Sequence, residues 1–258
     1  MPTILPGRFN WHELLTSDPS AAHGFYESVV GWGTAPFGND GYTMWMNGQT
    51  PVGGVMDLPA EVKAMGVPPH WLIYVSTPDV EATARRAEQM GGKILKQVEV
   101  VPTVGRFMVI ADPQGAVFCL YQPENDMAPD AMPVPGGWSW HELATTDREG
   151  AFKFYSALFG WVKTGDMDMG EAGIYQMYGI GEVPMGGIYN KPAEVPVPNW
   201  LPYAMVPDTD TAVDTAKKKG ATVIYGPMDV PGGGRVAAIV DPQGAAFALH
   251  SQKDGVTA

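Results

Sequence analysis

The sequence predicts an α+β protein of two tandem domains, each made of two βαβββ units that form a cupped, mostly antiparallel sheet. Three observations carry this. The chain repeats itself at an offset of 129 residues, with Trp11-His12-Glu13-Leu14 returning as Trp140-His141-Glu142-Leu143. Within each copy, strand-length apolar segments alternate with helical stripes in the order β-α-β-β-β, twice over. Between the copies lies a stretch crowded with proline and glycine.

Eleven of the twenty-four positions from Phe9 to Trp32 recur unchanged in the second copy. At the same offset Trp71 meets Trp200, Tyr74 meets Tyr203, Arg106 meets Arg235, and Asp112-Pro113-Gln114-Gly115 meets Asp241-Pro242-Gln243-Gly244. Gly53-Gly54 pairs with Gly186-Gly187 at 133 instead, so a few residues enter and leave the second copy between strands. The expected domains are residues 1–124 and 137–258, joined by a linker over 125–136.

In the first copy, Phe9 to Thr16 has the aromatic and apolar content of a strand. Asp18-Pro19 supplies an N-cap acceptor and a first-turn proline. Ala22, Phe25, Tyr26, Val29 and Val30 then follow at helical spacing until Gly31. Short segments at Thr34–Phe37, Tyr42–Met46 and Pro51–Leu58 predict three strands, broken by Gly38-Asn39-Asp40-Gly41 and Asn47-Gly48. The pattern restarts with a strand at Trp71–Ser76, a helix capped by Asp79 and closed by Gly91-Gly92, and strands at Lys93–Val101, Arg106–Ala111 and Val117–Gln122.

A formal net charge of −12 repels phosphate backbones and argues against nucleic acid as a partner. No run of about eighteen apolar residues exists to span a membrane, and Met1 to Gly7 has no basic region followed by an apolar one. The expectation is a soluble, cytoplasmic protein. Cys119 is the only cysteine, which excludes an intramolecular disulfide.

The strand into Asp18, Phe25-Tyr26 with Gly31, Asp79, Gly91-Gly92 and the Asp112 to Gly115 turn together resemble the vicinal oxygen chelate superfamily of glyoxalases, bleomycin-resistance proteins and extradiol dioxygenases. Trp11/Glu13/Leu14, Gly105-Arg106-Phe107 and Asp112 to Ala116 are similar more narrowly to its tandem, two-domain glyoxalase-like members, some of them labelled hydroxylases. The resemblance implies two glyoxalase-like domains. It also implies a divalent metal held by His, Gln and Glu from the first and last strands of each βαβββ unit. Counting from the aspartates, those strand positions fall on Trp11, Leu72 and Cys119, then on Trp140, Leu201 and Ala248, which are mostly not ligands. No metal residues are therefore assigned, and the cofactor stays open.

Side chains two apart on a strand share a face. If Trp11 faces the cup, so do Phe9 and Glu13, while His12 and His141 turn toward the helices. The same counting sends His70, Tyr74 and Tyr121 inward in the first copy, and Trp140, Tyr203 and His250 in the second. Glu13 and Glu142 are the candidate catalytic bases, since burial raises a carboxyl pKa, or else simple hydrogen-bond acceptors. Trp11, His70, Tyr74, Tyr121, Trp140, Tyr203 and His250 are candidate substrate-binding residues. Arg106 and Arg235 join them as clamps for an anionic group, or alternatively tie a loop to a strand.

The expected function is binding of a small carbonyl-bearing or aromatic metabolite in the cups without the usual metal tetrad. One alternative is a metal-dependent glyoxalase-like lyase or ring-cleaving dioxygenase, recruiting some combination of His12, His70, Asp57, His141 and His250. Another is a drug-sequestering protein of the bleomycin-resistance kind. Four βαβββ units in one chain can satisfy internally the pairing that other members make between chains, so a monomer is expected, with a dimer as the alternative.

Overall fold

A computed structural model describes residues 3–38, 42–128 and 131–252. Met1-Pro2, residues 39–41 of the expected glycine turn, Pro129-Asp130 of the expected linker and the last six residues lie outside the described part.

In the first repeat the order is β1 (Phe9–Thr16), α1 (Pro19–Val29), β2 (Gly33–Phe37), β3 (Tyr42–Asn47), β4 (Thr50–Asp57), α2 (Ala60–Ala64), β5 (His70–Ser76), α3 (Val80–Gln89), β6 (Lys93–Val101), β7 (Gly105–Ala111) and β8 (Val117–Pro123). The second repeat runs β9 (Trp138–Thr145), α4 (Arg148–Phe159), β10 (Val162–Asp168), β11 (Ile174–Ile180), β12 (Val183–Asn190), β13 (Asn199–Met205), α5 (Thr209–Lys218), β14 (Thr222–Asp229), β15 (Gly234–Val240) and β16 (Ala246–Gln252). Each repeat forms one curled mixed sheet of eight strands, ordered β2-β3-β4-β1-β5-β8-β7-β6 and β10-β11-β12-β9-β13-β16-β15-β14. The first strand of every βαβββ unit runs parallel to its last, and the hairpin strands are antiparallel.

The aspartates begin the long helices as their spacing requires. Asp18, Asp79, Asp147 and Asp208 each accept the backbone N–H three residues on. The short α2 was not anticipated. It is five residues long and buries none of them, so no apolar stripe announces it.

The helices and sheets pack as two compact units, and each unit takes one βαβββ half from each repeat. One comprises Met1–Trp11, Leu72–Ala131 and Trp140–Trp200; the other comprises His12–Trp71, Met132–Ser139 and Leu201–Ala258. In the second unit α1 of the first repeat meets α5 of the second, over a core that joins Leu14, Phe25, Tyr26 and Trp45 to Ala204, Val213, Ile239 and Phe247. In the first unit α3 and α4 meet over Ile73, Ile110 and Phe118 with Phe154, Tyr155 and Ile188.

The Asp-Pro-Gln-Gly turns join the repeats inside these cores. Asp241 Oδ1 accepts the backbone N–H groups of Gln243, Gly244 and Ala245 at 2.8–2.9 Å. Its Oδ2 accepts the Tyr26 hydroxyl at 3.0 Å, and that hydroxyl accepts Trp71 Nε1 at 3.0 Å. Asp112, Tyr155 and Trp200 repeat the arrangement in the first unit. Burial beside Asp241 holds the Tyr26 phenol well above its ordinary pKa, so it stays a donor.

One orientation differs from expectation. Phe9 does not face the cup: its ring stacks on His141 at 3.6 Å and packs near Trp161 and Trp200. At the strand's first residue the side chain reaches the neighbouring core instead of following the strict alternation. Its counterpart Trp138 does the same over His12, at 4.1 Å.

Candidate functional site

From Trp11 onward the alternation holds. Leu14 and Leu143 enter the helix-side cores, so Glu13 and Glu142 occupy the opposite faces of β1 and β9. Both carboxylates are buried, at 4% and 7% exposure. A charge so placed must be hydrogen-bonded. In the second unit Tyr42 Oη donates to Glu13 Oε2 at 2.8 Å, and in the first unit Tyr175 Oη donates to Glu142 Oε2 at 2.9 Å.

The glycine pairs explain how a tyrosine can lie there. Gly54 is the register partner of Glu13, and Gly187 that of Glu142. A Cβ on Gly54 would fall 1.8 Å from Tyr42 Oη and 2.7 Å from Glu13 Oε1, and one on Gly187 would fall 2.0–2.2 Å from Tyr175 ring and hydroxyl atoms. Each tyrosine ring rests on bare backbone, which is what Gly53-Gly54 and Gly186-Gly187 provide. Tyr42 and Tyr175 were not singled out from sequence, although they share the offset of 133 that links the glycine pairs.

The two copies differ around this pair. Trp140 Nε1 donates to Tyr175 Oη at 2.8 Å, and the Tyr189 hydroxyl also hydrogen-bonds Glu142. Tyr175 and Tyr189 stack with centroids 5.9 Å apart. Burial and the nearby Glu142 charge push the Tyr189 phenol above its ordinary pKa, and Tyr178 likewise. At the position of Tyr189 the first copy has Met56, which is exposed.

The other predicted site residues fall into separate groups. Tyr74 packs near Phe107 and Tyr121, whose hydroxyl donates to the Val104 carbonyl and whose pKa is raised by burial. Lys96 lies over the Phe107 ring. The Tyr203 and Tyr225 hydroxyls are bonded to one another at 2.5 Å, and His250 Nδ1 pairs with Ser139 Oγ at 2.9 Å. Burial lowers the pKa of His250, and also that of His70, whose Nδ1 bonds the Pro68 carbonyl. Trp11 lies partly buried in the first unit. Arg106 is ion-paired with Glu81 in the first turn of α3. Arg235 is ion-paired with Asp210 in the first turn of α5 and with Asp229. Both guanidiniums thus bind a helix start to a strand. His12 is buried, and burial drives the pKa of His141 to about 3.

A divalent metal needs three or four converging His, Cys, Asp or Glu donors. The family's strand positions hold Trp11, Leu72, Cys119, Trp140, Leu201 and Ala248, and among the described residues no group of three such donors stands together. The residues present do not fit that donor set. Two clefts of about 290 and 220 Å³ flank Gln243 in the second unit, and neither is lined by Glu13 or Glu142. The Gln243 amide is occupied there with Thr16, Ser17 and the Asp18 backbone, which makes it a brace for the start of α1.

The profile of the Glyoxalase/Bleomycin resistance protein/Dioxygenase superfamily matches residues 8–120 and again 139–249. The chain belongs to this superfamily. Among its relatives, CFP32 of Mycobacterium tuberculosis, named as a candidate glyoxylase, is 32% identical over 248 residues, covering 94% of each chain. The anthracycline biosynthesis protein DnrV of Streptomyces peucetius is 31% identical, covering 100% of this chain and 98% of the relative. Solved structures share the fold of this superfamily member at lower identity. The Mn(II)-bound glyoxalase of Novosphingobium aromaticivorans aligns with a TM-score of 0.65 at 17% identity, over 98% of this chain and 83% of the other. The 2,2',3-trihydroxybiphenyl 1,2-dioxygenase of Sphingomonas wittichii aligns at 0.69 with 11% identity, over 95% and 90%. Among the described residues, no helix of this superfamily member is long and apolar enough to cross a membrane.

Proposed function

We propose that this protein binds a small aromatic or carbonyl-bearing metabolite through proton-bearing groups that the ligand presents to Glu13 and Glu142, without the family's metal tetrad. The observation that carries this is the duplicated arrangement of a buried carboxylate, a tyrosine hydroxyl donating to it and a bare glycine beneath the ring. A carboxylate so held is positioned to take a proton from a ligand hydroxyl or from a carbon beside a carbonyl. In the first unit Trp11, Tyr74, Tyr121 and Trp140 would supply apolar surface for a ring, and in the second unit Tyr203 would do so with His70 and His250 as polar groups. Relatives named for glyoxylase chemistry and for anthracycline biosynthesis support a ligand with carbonyl and aromatic groups. The reading includes a soluble, cytoplasmic monomer whose repeats are bounded at 1–124 and 137–258.

Titration calorimetry with the aromatic ketones acetophenone and 1-tetralone tests this, together with elemental analysis of protein purified without chelator. Saturable binding weakened about tenfold or more by Glu13→Gln or Glu142→Gln is expected, and added divalent ions leave it unchanged. Exchange of the ketone α-hydrogens into deuterated water, catalysed only with the glutamates intact, would identify them as bases. A stoichiometric metal, or no binding of either ketone, overturns the reading.

A further inference from the structure

The second repeat carries an aromatic box around its carboxylate that the first repeat lacks in part. Within the first unit, Trp140, Tyr175 and Tyr189 stand on the Glu142 face of β9, β11 and β12, all three half-buried. Their polar hydrogens are already committed. The Trp140 N–H goes to Tyr175 Oη, the Tyr175 O–H goes to Glu142, and Tyr189 is hydrogen-bonded to Glu142 as well. Indole has no acceptor to offer, and an ionised carboxylate has no donor. The cluster therefore combines a buried carboxylate with three half-buried aromatic rings whose indole and phenol hydrogens are already used. A ligand carboxylate finds no donor in it, and a ketone can meet Glu142 only through the hydrogens beside its carbonyl.

The chemical class best matched to these surfaces together is an organic cation, which adds charge attraction to the hydrogen bonds that a neutral donor would make. An ammonium group has donors for the carboxylate and hydroxyl oxygens, and its charge is attracted both by Glu142 and by the quadrupoles of the stacked rings. The chain's net charge of −12 favours the approach of a cation over that of an anion. We propose that the Trp140–Tyr175–Glu142–Tyr189 cluster of the second repeat is a binding site for a protonated amine on an aromatic or aliphatic body, and that Tyr189 distinguishes it from the first repeat, where Met56 stands. The proposal rests on the reading of Glu142 as part of a ligand site and adds the charge of the group it receives.

Calorimetry with three probes of one skeleton tests it on the full chain: 2-phenylethylamine, 2-phenylethanol and phenylacetate. The amine is expected to bind with a stoichiometry of one and at least about tenfold tighter than the alcohol, with no binding of phenylacetate. Glu142→Gln should abolish the preference for the amine. Tyr189→Met, which copies the first repeat, should reduce it severalfold while leaving the melting temperature within about two degrees, and it serves if Glu142→Gln fails to fold. Equal binding of amine and alcohol, binding of phenylacetate, or an unchanged preference in a folded variant overturns the proposal. If the aromatic ketones still bind in that case, the ligand-binding reading stands and only the cation is lost. If neither amine nor ketones bind, both fall.

Discussion

Replacing Asp241 by alanine removes the acceptor of four hydrogen bonds from the core of the second unit, and the cost can be followed bond by bond. The side chain is 4% exposed. Two of its donors, the N–H groups of Gln243 and Gly244, sit on residues with access to solvent, so water replaces the lost partner at small net cost. The other two do not have that access. Ala245 is fully buried, as is the Tyr26 hydroxyl, which would then face a cavity while still receiving the Trp71 N–H. Each orphaned buried donor costs roughly 1–3 kcal/mol, and the carboxylate's removal leaves a small void, so the loss is about 3–5 kcal/mol. At about 2–4 °C per kcal/mol for a chain of this size, the melting temperature should fall by roughly 6–20 °C. Calorimetric and guanidinium melts followed by circular dichroism measure it. Asp112→Ala should behave alike in the first unit, and Tyr26→Phe should lose less because the three backbone bonds survive. A loss below about 1 kcal/mol for Asp241→Ala would show that the turn does not join the repeats and would refute the reasoning.

Gly187→Ala should displace the Tyr175 ring, because the added methyl would overlap it. The expected destabilisation is about 1–3 kcal/mol, with amine or ketone binding weakened at least severalfold, and unchanged binding would show that the ring is not held against the backbone. His141 is buried with its pKa lowered to about 3, against 6.5 when unfolded, so the unfolded chain binds the proton more readily between these values. Stability from this group is present above pH 6.5 and is lost as the pH falls toward 3. The slope of 1.36 kcal/mol per pH unit gives roughly 2–3 kcal/mol between pH 6.5 and 4.5. Denaturant titrations should show that His141→Phe flattens this portion of the profile, and an identical profile would exclude His141 as its source. Residues 1–124 expressed alone leave Phe25 and Tyr26 without Phe247 and Asp241, so light scattering and thermal melts should find a cooperative fold only in a dimer that rebuilds the exchanged cores. A stable folded monomer of that fragment would contradict the packing described.

Most of the secondary structure was legible because its signals are local. Asp18 and Asp79 lie three residues before the N–H they cap, and Tyr26 and Phe25 share a helical stripe. Glu13 was readable as buried because a strand alternates. Phe9 broke the alternation because an end residue is free to turn toward another core. The partners of the glutamates were legible in principle, since Tyr42 and Tyr175 keep the offset of the glycine pairs, but a tyrosine acting across a hairpin carries no local mark. The exchange of halves between units could not be read from the sequence. Both repeats offer the same tyrosine and the same aspartate, and nothing in the residues states whether Tyr26 should meet Asp112 or Asp241. The arginines had two readings in the sequence, and only the positions of Asp210 and Glu81 on the adjoining helices decide what they touch.

The shared cores bear on how such a duplication can age. A lineage that lost one repeat would lose half of each hydrophobic interior and would have to regain it from a second copy of the shortened chain. The faces carrying Glu13 and Glu142 are under no such bond, since each keeps its own tyrosine and its own glycine. Inheritance therefore locks the two copies together on one side and releases them on the other. Met56 and Tyr189, standing at one position of the repeat, mark how far that release has already gone.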